Sequence, residues 1–510
     1  MLQYLTTRTL LEAAYHQIAA LLGAHCEWLF VSAENVQSLR SHEIEIEVKH
    51  ERLLLSCWTE RGTKWWRICG WNWNGQSLAL EASNGKRARN ELLELVPRTQ
   101  AKAISAAIRA ARQARAERLA YLAAALTPET TVERLSLSRG TRSGQPGRYA
   151  HFLLSRRQQR IAVMGLVVAA NAAAVDSFLS AALLWFIRVN ERVNRPAAKQ
   201  LWLLVSRELV KPLVYRIALI REGLRDVVRV FGVDNDLTSL AEVNCPHKSE
   251  LWKKKVARFP PVAAAVPGNL SETIVAAAPA AIDVVQARHG ETLRYFGLPF
   301  ARVRSVLRHE KIWFGVDRAH RCLLDQSTAA DWRHLLNELR KHRSSEATDH
   351  RHALYRAAPE AWLESLLRRD VTKLDPGLII APLHAQFRTA RGAKLGIRPI
   401  DLLALRQDGR LVVIELKVSE DREHVLQGAD YWRRVEAHRR RGHISRAKLF
   451  GERVIKDEPP LVYLVAPTLR VHPAFEALAR CISSDIEIYR FDINEDWRAG
   501  VRVMRRRRVN

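Results

Sequence analysis

The sequence is poor in the features that mark several large functional classes. Its cysteines, Cys26, Cys57, Cys69, Cys245, Cys322 and Cys481, form no C-x-x-C pair and no zinc-ligand spacing. That argues against a disulfide framework or a zinc module and fits scattered reduced thiols in a cytosolic protein. No glycine-rich nucleotide loop is visible, so ATP-driven action is not indicated. No short tandem repeat marks a solenoid. The 18 histidines form no H-x-x-x-H or H-x-H pair with a convincing acidic partner, and "HRH" at 350–352 reads as a solvated loop. The opening "MLQYLTTRTLLEAAYHQIAALL" lacks the basic start and small-residue cleavage site of a signal peptide.

Acid is scarce relative to base. Asp and Glu total 54 against 81 Lys and Arg, for a net charge of +27. A GC-rich genome inflates arginine, yet the excess over acid remains, and the chain nears its end with Arg505 to Arg508 in a row. Such a balance suits a polyanion, nucleic acid before anionic lipid, because no membrane anchor is evident. One apolar stretch, "IAVMGLVVAANAAAVDSFLSAALLWFI" at 161–187, is long enough to span a bilayer. Asn171, Asp176, Ser177 and Ser180 interrupt its middle, where an ionised Asp is costly. A buried strand (161–168) followed by a buried helix explains it, and no membrane partner is expected.

Hydrophobic content of 47% supports real cores, and 510 residues call for several domains. The expected architecture is multidomain α/β (α+β). Residues 1–98 read as an N-terminal helix and a Trp-rich β module. Its tryptophans, Trp58, Trp65, Trp66, Trp71 and Trp73, either fill a small core or stack single-stranded bases; the core is favoured. Residues 99–234 form an α/β module opening on a strong helix at 99–125, with "SRGTRSGQPGRY" (138–149) as a loop or hairpin tip. Residues 235–355 read as a connector, Ala- and Pro-rich at 257–283, with a hairpin and helix at 310–341. Residues 356–497 form the last domain, and 498–510 a basic tail.

The chemistry concentrates in "IDLLALRQDGRLVVIELK", residues 400–417. "LVVIELK" is apolar on both faces until its charges, as in a covered central strand. A three-residue loop, Gln407-Asp408-Gly409, with Gly409 left-handed, pairs Arg406 with Arg410. Counting outward sets Asp401 opposite Glu415, and Lys417 shares the face of Glu415. Two carboxylates about 5 Å apart repel unless a cation sits between them. Oxygen ligands suit Mg²⁺ or Mn²⁺, which polarises a phosphoryl oxygen and makes hydroxide from bound water. The chain holds its own control: "EIEIEVK" repeats the spacing with Glu47 and Lys49, but no Asp precedes it. It reads as an alternating solvent-facing strand.

Around this hairpin the order is helix, three strands, helix, strand, helix, strand. Pro359 opens the first helix, with Glu360 and Glu364 on one face. Gln427 and Tyr431 lie four apart on the next helix. This order with D…E-x-K resembles the PD-(D/E)-x-K, restriction-endonuclease-like nuclease superfamily, with an αβββαβαβ fold. More closely, "LDPGL" (374–378), the 400–417 stretch, Gln427 with Tyr431, and "YLVAPTL" resemble the nuclease domain of NucS-type endonucleases. The resemblance covers about 130 residues. It implies that Asp401, Glu415 and the backbone carbonyl of Leu416 bind metal. It also implies that Lys417 positions the water, and that Glu360 supports metal or water, with Glu364 as the alternative. Gln427 and Tyr431 would then border the scissile phosphate. Val418 and Asp430 depart from the family, which often has basic residues there. The first part of the chain shows no resemblance to the NucS partner domain.

The sequence therefore leads us to expect a Mg²⁺- or Mn²⁺-dependent DNA endonuclease. Its role would be in repair or defence, acting on duplex, branched or mismatched DNA in the cytoplasm with the nucleoid, with a homodimer allowed. The alternatives are a catalytically inactive DNA-binding scaffold on the same fold, or a nuclease acting on RNA. The segment 99–234 repeats the element order of the last domain without its carboxylates. It reads either as a degenerate copy of the nuclease fold or as an ordinary α/β module.

Overall fold

The computed structural model describes residues 2–31, 36–59, 62–83, 90–139, 146–156, 159–191, 196–253, 268–287, 290–306, 309–317, 321–380 and 400–510. The protein is mixed α/β with several sheets. It divides into two compact units: Met1–Pro128 with Val132–Phe152 and Gly165–Ala170, and Glu129–Thr131 with Leu153–Met164 and Asn171–Asn510. Parts of two expected loops, 140–145 and 254–267, lie outside the described residues.

The first unit opens with β1 (Gln3–Tyr4) and helix α1 (Arg8–Gly23), capped by Thr7, whose side chain accepts from the Leu10 amide. Strands β2 (Glu27–Val31), β3 (Val36–Arg40), β4 (Ile44–Lys49), β5 (Arg52–Thr59), β6 (Gly62–Trp73), β7 (Leu78–Ser83) and β8 (Glu91–Pro97) form one sheet. Leu11, Ala14, Ile18 and Leu22, one face of α1, pack with Trp28, Trp66 and Trp71 in its core. Among these tryptophans the core reading holds for Trp66 and Trp71, whereas Trp65 is exposed. The control motif behaves as expected: Glu45, Glu47 and Lys49 on β4 face solvent. Helix α2 (Ala101–Ala125) follows.

The middle sheet contains β9 (Thr131–Arg139), β10 (Pro146–Arg156), β11 (Gln159–Leu166), β12 (Ala198–Ser206), β13 (Val228–Val233) and β14 (Leu240–Val243), side by side in chain order. β12 and β13 are parallel, and β14 is antiparallel to β13. Helices α3 (Val175–Asn190), α4 (Arg207–Ile217) and α5 (Glu222–Arg225) lie between the strands in sequence. The apolar stretch thus resolves into a strand and α3. By length and composition α3 with its preceding turn could cross a bilayer, and half of it is buried inside the fold.

Residues expected to be a connector are more ordered than that. Strand β14 completes the middle sheet. Helix α6 (Asn269–Ala276) precedes a five-stranded antiparallel sheet of β15 (Ile282–Ala287), β16 (Gly290–Tyr295), β17 (Leu298–Val306), β18 (His309–Phe314) and β19 (Cys322–Leu323). Its alternating apolar positions, Leu293, Tyr295, Phe300, Val303, Ile312 and Phe314, share a core with Leu339 of α7 (Ala329–His342). Arg343 is fully buried, donating to the carbonyls of Tyr295, Phe296, Leu354 and Ala357 at 2.7–2.8 Å. That joins the small sheet to the start of the last domain.

The last domain runs α8 (Ala353–Arg356), α9 (Pro359–Arg369), β20 (Leu378–Ile380), β21 (Leu402–Arg406), β22 (Leu411–Leu416), α10 (His424–Arg439), α11 (His443–Arg446), β23 (Leu461–Pro467), α12 (Phe475–Ala479), β24 (Ile488–Ile493) and β25 (Val503–Arg508). Its six strands again lie side by side in chain order. The expected basic tail is instead β25, paired antiparallel with β24. An edge strand tolerates such a run because its charges find partners: Arg506 reaches Asp375, and Arg507 reaches Glu476.

Candidate active site

The hairpin between β21 and β22 sets the site. The Arg406 amide donates to the Arg410 carbonyl at 2.9 Å, and the Gly409 amide to the Arg406 carbonyl at 2.9 Å. Gly409 has φ +84°, and a Cβ there would come within 2.8 Å of the Val454 carbonyl. Leu402 lies opposite Ile414 and Leu405 opposite Leu411. Continued by one pair, that register sets Asp401 opposite Glu415. Ile414 and Leu416 enter the core beside Trp362 of α9. Alternation then turns Glu415 and Lys417 to the face that Val413 shares with Tyr431 and Val435 of α10. A slip of one residue would exchange the faces.

Of the two carboxylates Glu415 is buried and Asp401 half-buried. Glu415 is only 2% exposed, and its buried Oε2 atom has no donor among the described residues. Asp401 Oδ2 accepts the Leu416 amide at 2.9 Å. That amide faces Asp401, so the Leu416 carbonyl, on the same side of the strand, belongs to the same edge. Burial, then the Asp401 charge, pushes the Glu415 carboxyl well above its usual range. Burial also raises Asp401, against the pull of the Leu416 amide and Lys417. The two carboxyls are close enough to share a hydrogen bond, with Glu415 the one whose protonation it favours. A divalent cation suits such a proton-sharing oxygen pair, since metal binding displaces the proton.

Lys417 Nζ stands 3.1 Å from Glu415 Oε1 and 3.3 Å from Asp421 Oδ2. Burial disfavours its charge, but Glu415, Glu360, Asp421 and Asp401 together outweigh that and raise it. Lys417 is therefore an ammonium at neutral pH. Glu360, exposed in the first turn of α9, acts on Lys417; Glu364, one turn on and buried, feels the Asp401 charge. Glu364 is pushed up to about 7 by burial, despite Arg294 at 3.9 Å and Arg368 at 3.6 Å.

Helix α10 covers the site closely. A Cβ on Gly428 would come within 2.5 Å of Leu464 Cδ2, so glycine lets the helix approach β23. Gln427 is buried; its Nε2 donates to Glu423 Oε2 at 3.1 Å, and its Oε1 has no partner among the described residues. Tyr431 is buried in the core under β22; burial and then the charge of Glu415 raise its hydroxyl. Its body packs, and its electrostatic reach extends to the acids.

Two residues near the site carried no usable sequence signal. Asp421 is four positions after Lys417, but in a loop, where that spacing has no periodic meaning. His424 is a lone histidine whose ring nitrogen lies 3.2 Å from the Glu415 carbonyl oxygen. Burial and then Lys417 lower its pKa to about 4, so it is neutral. Asp375 of "LDPGL" is not at the acid pair. It accepts from the Tyr463 hydroxyl at 2.9 Å and from Arg506 at 3.3 Å, tying β20 to the far strands. The unexpected Asp430 also has an explanation: it pairs with Arg216 of α4 at 3.1 Å and with Arg433 and Arg434. Burial opposes its ionisation, yet these three arginines hold the carboxyl well below its usual range.

Compared with known proteins, the chain matches no family model, no curated protein and no solved structure.

Proposed function

We propose that the last domain is a metal-dependent nuclease of the PD-(D/E)-x-K type acting on DNA, in repair or defence. The observation that carries the reading is one acid pair, the buried Glu415 and the half-buried Asp401, with the Lys417 ammonium 3.1 Å from Glu415. An acid pair of this kind is costly to a fold and is the form a divalent-cation site takes. Asp401, Glu415 and the Leu416 carbonyl would hold Mg²⁺ or Mn²⁺, with Glu360 supporting from α9. When bound, the cation would polarise a phosphoryl oxygen and lower the pKa of water.

The chain's own groups supply the rest. Lys417 keeps its proton and donates hydrogen bonds, which orients a water and offsets negative charge as a phosphate is attacked. Gln427, on α10, offers a buried oxygen with no partner among the described residues. His424, neutral, adds no charge to the acid pair. A net charge of +27 brings the polyanion to the surface.

The test is cleavage of duplex, mismatched, branched and single-stranded DNA, and of RNA, with Mg²⁺ or Mn²⁺. Glu415→Gln and Lys417→Ala should abolish cutting and leave binding intact. Full activity of Glu415→Gln would refute the reading. Salt-sensitive binding without cleavage on every substrate would replace it with the scaffold.

A further inference from the structure

We propose that the middle module is the last domain's built-in partner. The two pair about an internal pseudo-twofold axis, so each chain brings one cutting centre to a duplex and nicks a single strand. The nick rests on the nuclease reading; the pairing does not.

The pairing is visible in equivalent elements meeting reciprocally. In both sheets the strands lie in chain order, the fourth and fifth are parallel, and the sixth runs antiparallel to the fifth. A helix follows the third strand (α3, α10) and another the fourth (α4, α12). Across the interface α3 meets α12, α10 meets α4, and α3 meets α10. Just beyond α4 and α12 the chains exchange hydrogen bonds. The Arg221 amide donates to the Cys481 carbonyl at 2.9 Å, and the Ser483 amide to the Leu219 carbonyl at 2.9 Å. Ile220 and Ile482 sit face to face between them. Residue i touching j′ while j touches i′ is the signature of an isologous dimer. Here both halves belong to one chain.

The interface is buried and tied to the site. Arg216 bridges Asp176 at 3.0 Å and Asp430 at 3.1 Å. Ser180 of α3 donates to the Arg422 carbonyl, in the loop after Lys417, at 3.4 Å. Helix α10 is buried almost all round, from His424 to His438 except Arg433. The sheet covers one side and the partner helices the other, so that surface is not free to recruit a second chain.

Only one half has the acids. At the end of the β10–β11 hairpin the Val167 amide donates to the Arg148 carbonyl at 3.0 Å; antiparallel pairing continued by one residue sets Tyr149 opposite Leu166. These residues stand where the other hairpin ends in Asp401 and Glu415. A dimer of live halves presents two centres to two strands; this pair presents one.

The experiment uses the full chain. Ile220 and Ile482 are a non-hydrogen-bonded pair, whose Cα atoms typically lie about 4.5 Å apart, within disulfide range. Ile220→Cys with Ile482→Cys, in a Cys481→Ala background, should close one intrachain disulfide on mild oxidation. Supercoiled plasmid with wild type and Mn²⁺ should give open circles first, with linear DNA only after they accumulate. Light scattering of the wild type should give the mass of one chain. Two free thiols above the five native ones in the folded, oxidised variant, or links between chains, overturn the pairing. Linear product at first turnover, or a two-chain mass, overturns the single centre. A disulfide with plasmid left intact removes the nuclease reading and the nick, and leaves the pairing.

Discussion

The middle sheet and the last sheet run their strands in the same order, and both carry a covered third strand. In the middle sheet Ala162, Val163 and Met164 of β11 are almost fully buried, as are Val412, Val413 and Ile414 of β22 in the last. The difference begins at the strand end. One hairpin closes on Tyr149 and Leu166; the other closes on Asp401 and Glu415. The comparison teaches that the core needs only apolar side chains facing inward, and that the acids are an addition which works against stability.

The sharpest way to break this comparison is to exchange the character of the two strand ends. Glu415→Gln keeps the shape and removes one charge. Cleavage should fall by about 10²–10³-fold or more, the scale of a lost electrostatic contribution at a reacting centre. The melting temperature of the metal-free protein should rise most at high pH, where the pair loses its shared proton and the two carboxylates repel. Leu166→Gln should do the opposite: cleavage unchanged, stability lower by about 2–3 kcal/mol as a polar amide enters an apolar position. Equal effects of the two substitutions on cleavage would erase the distinction.

Next in size is the ion network that joins the two halves. Arg216→Met leaves Asp176 and Asp430 buried beside a thioether. Removing one member of a buried ion pair typically costs about 3–5 kcal/mol. The lower end is expected, because Arg433 and Arg434 still face Asp430. Urea unfolding should show the loss, and cleavage should weaken with it, since Asp430 directly precedes Tyr431. A loss below about 1 kcal/mol would make the contact a surface accident.

What the sequence made legible follows from physical range. The Gly409 turn and the apolar run 411–414 are local, so they fixed register and placed Asp401 against Glu415. Glu360 and Glu364 shared a helix face, but helical periodicity could not say that one is exposed and the other buried under Arg294, which comes from another sheet. Asp430 looked like a departure from the pattern of the nucleases the segment resembles because its partner, Arg216, lies over two hundred residues away in sequence. Arg505 to Arg508 looked like a tail because charge patterning says nothing about a strand whose partners are supplied by β24, Asp375 and Glu476. The small sheet around Phe300 was missed for a plainer reason: its alternation was there, but the Ala- and Pro-rich stretch before it drew the reading toward a linker.

Smaller, and dependent on pH, is the contribution of His424. Its folded pKa is about 4 against an ordinary 6.5, for burial first and Lys417 second. Between these values the unfolded chain binds a proton at this residue and the folded chain does not. Stability therefore falls as pH drops from about 6.5 to about 4, by roughly 3 kcal/mol if this histidine acted alone. Asp401 and Glu415 oppose it, because raised carboxyl pKa values favour the folded state in acid. The informative quantity is the difference between wild type and His424→Gln, which should be flatter across that window. Parallel melting curves from pH 4 to 7 would mean that the imidazole is not held neutral. The middle sheet has no counterpart, since Val175 opens α3 where His424 opens α10.

The smallest effect concerns how the two edges of the comparison meet DNA. Strand β25 is rich in arginine, whereas β14, its counterpart, is "LAEV". Within β25 the arginines differ. Arg506 bonds Asp375 and the Tyr463 hydroxyl, and Arg507 bonds Glu476, so both hold the fold together. Arg505 is exposed and makes no ion pair among the described residues. Its guanidinium is free for phosphate. Arg505→Ala should leave the melting temperature unchanged and weaken binding alike on all sequences. It should also lower the slope of log affinity against log salt by about 1, the value of one phosphate contact. Arg506→Ala should instead lower the melting temperature, which tells a fold contact from a DNA contact on the same strand. An unchanged salt slope in Arg505→Ala would move the phosphate-binding face away from β25, and with it the idea that the last sheet's sixth strand differs from the middle one for the sake of DNA.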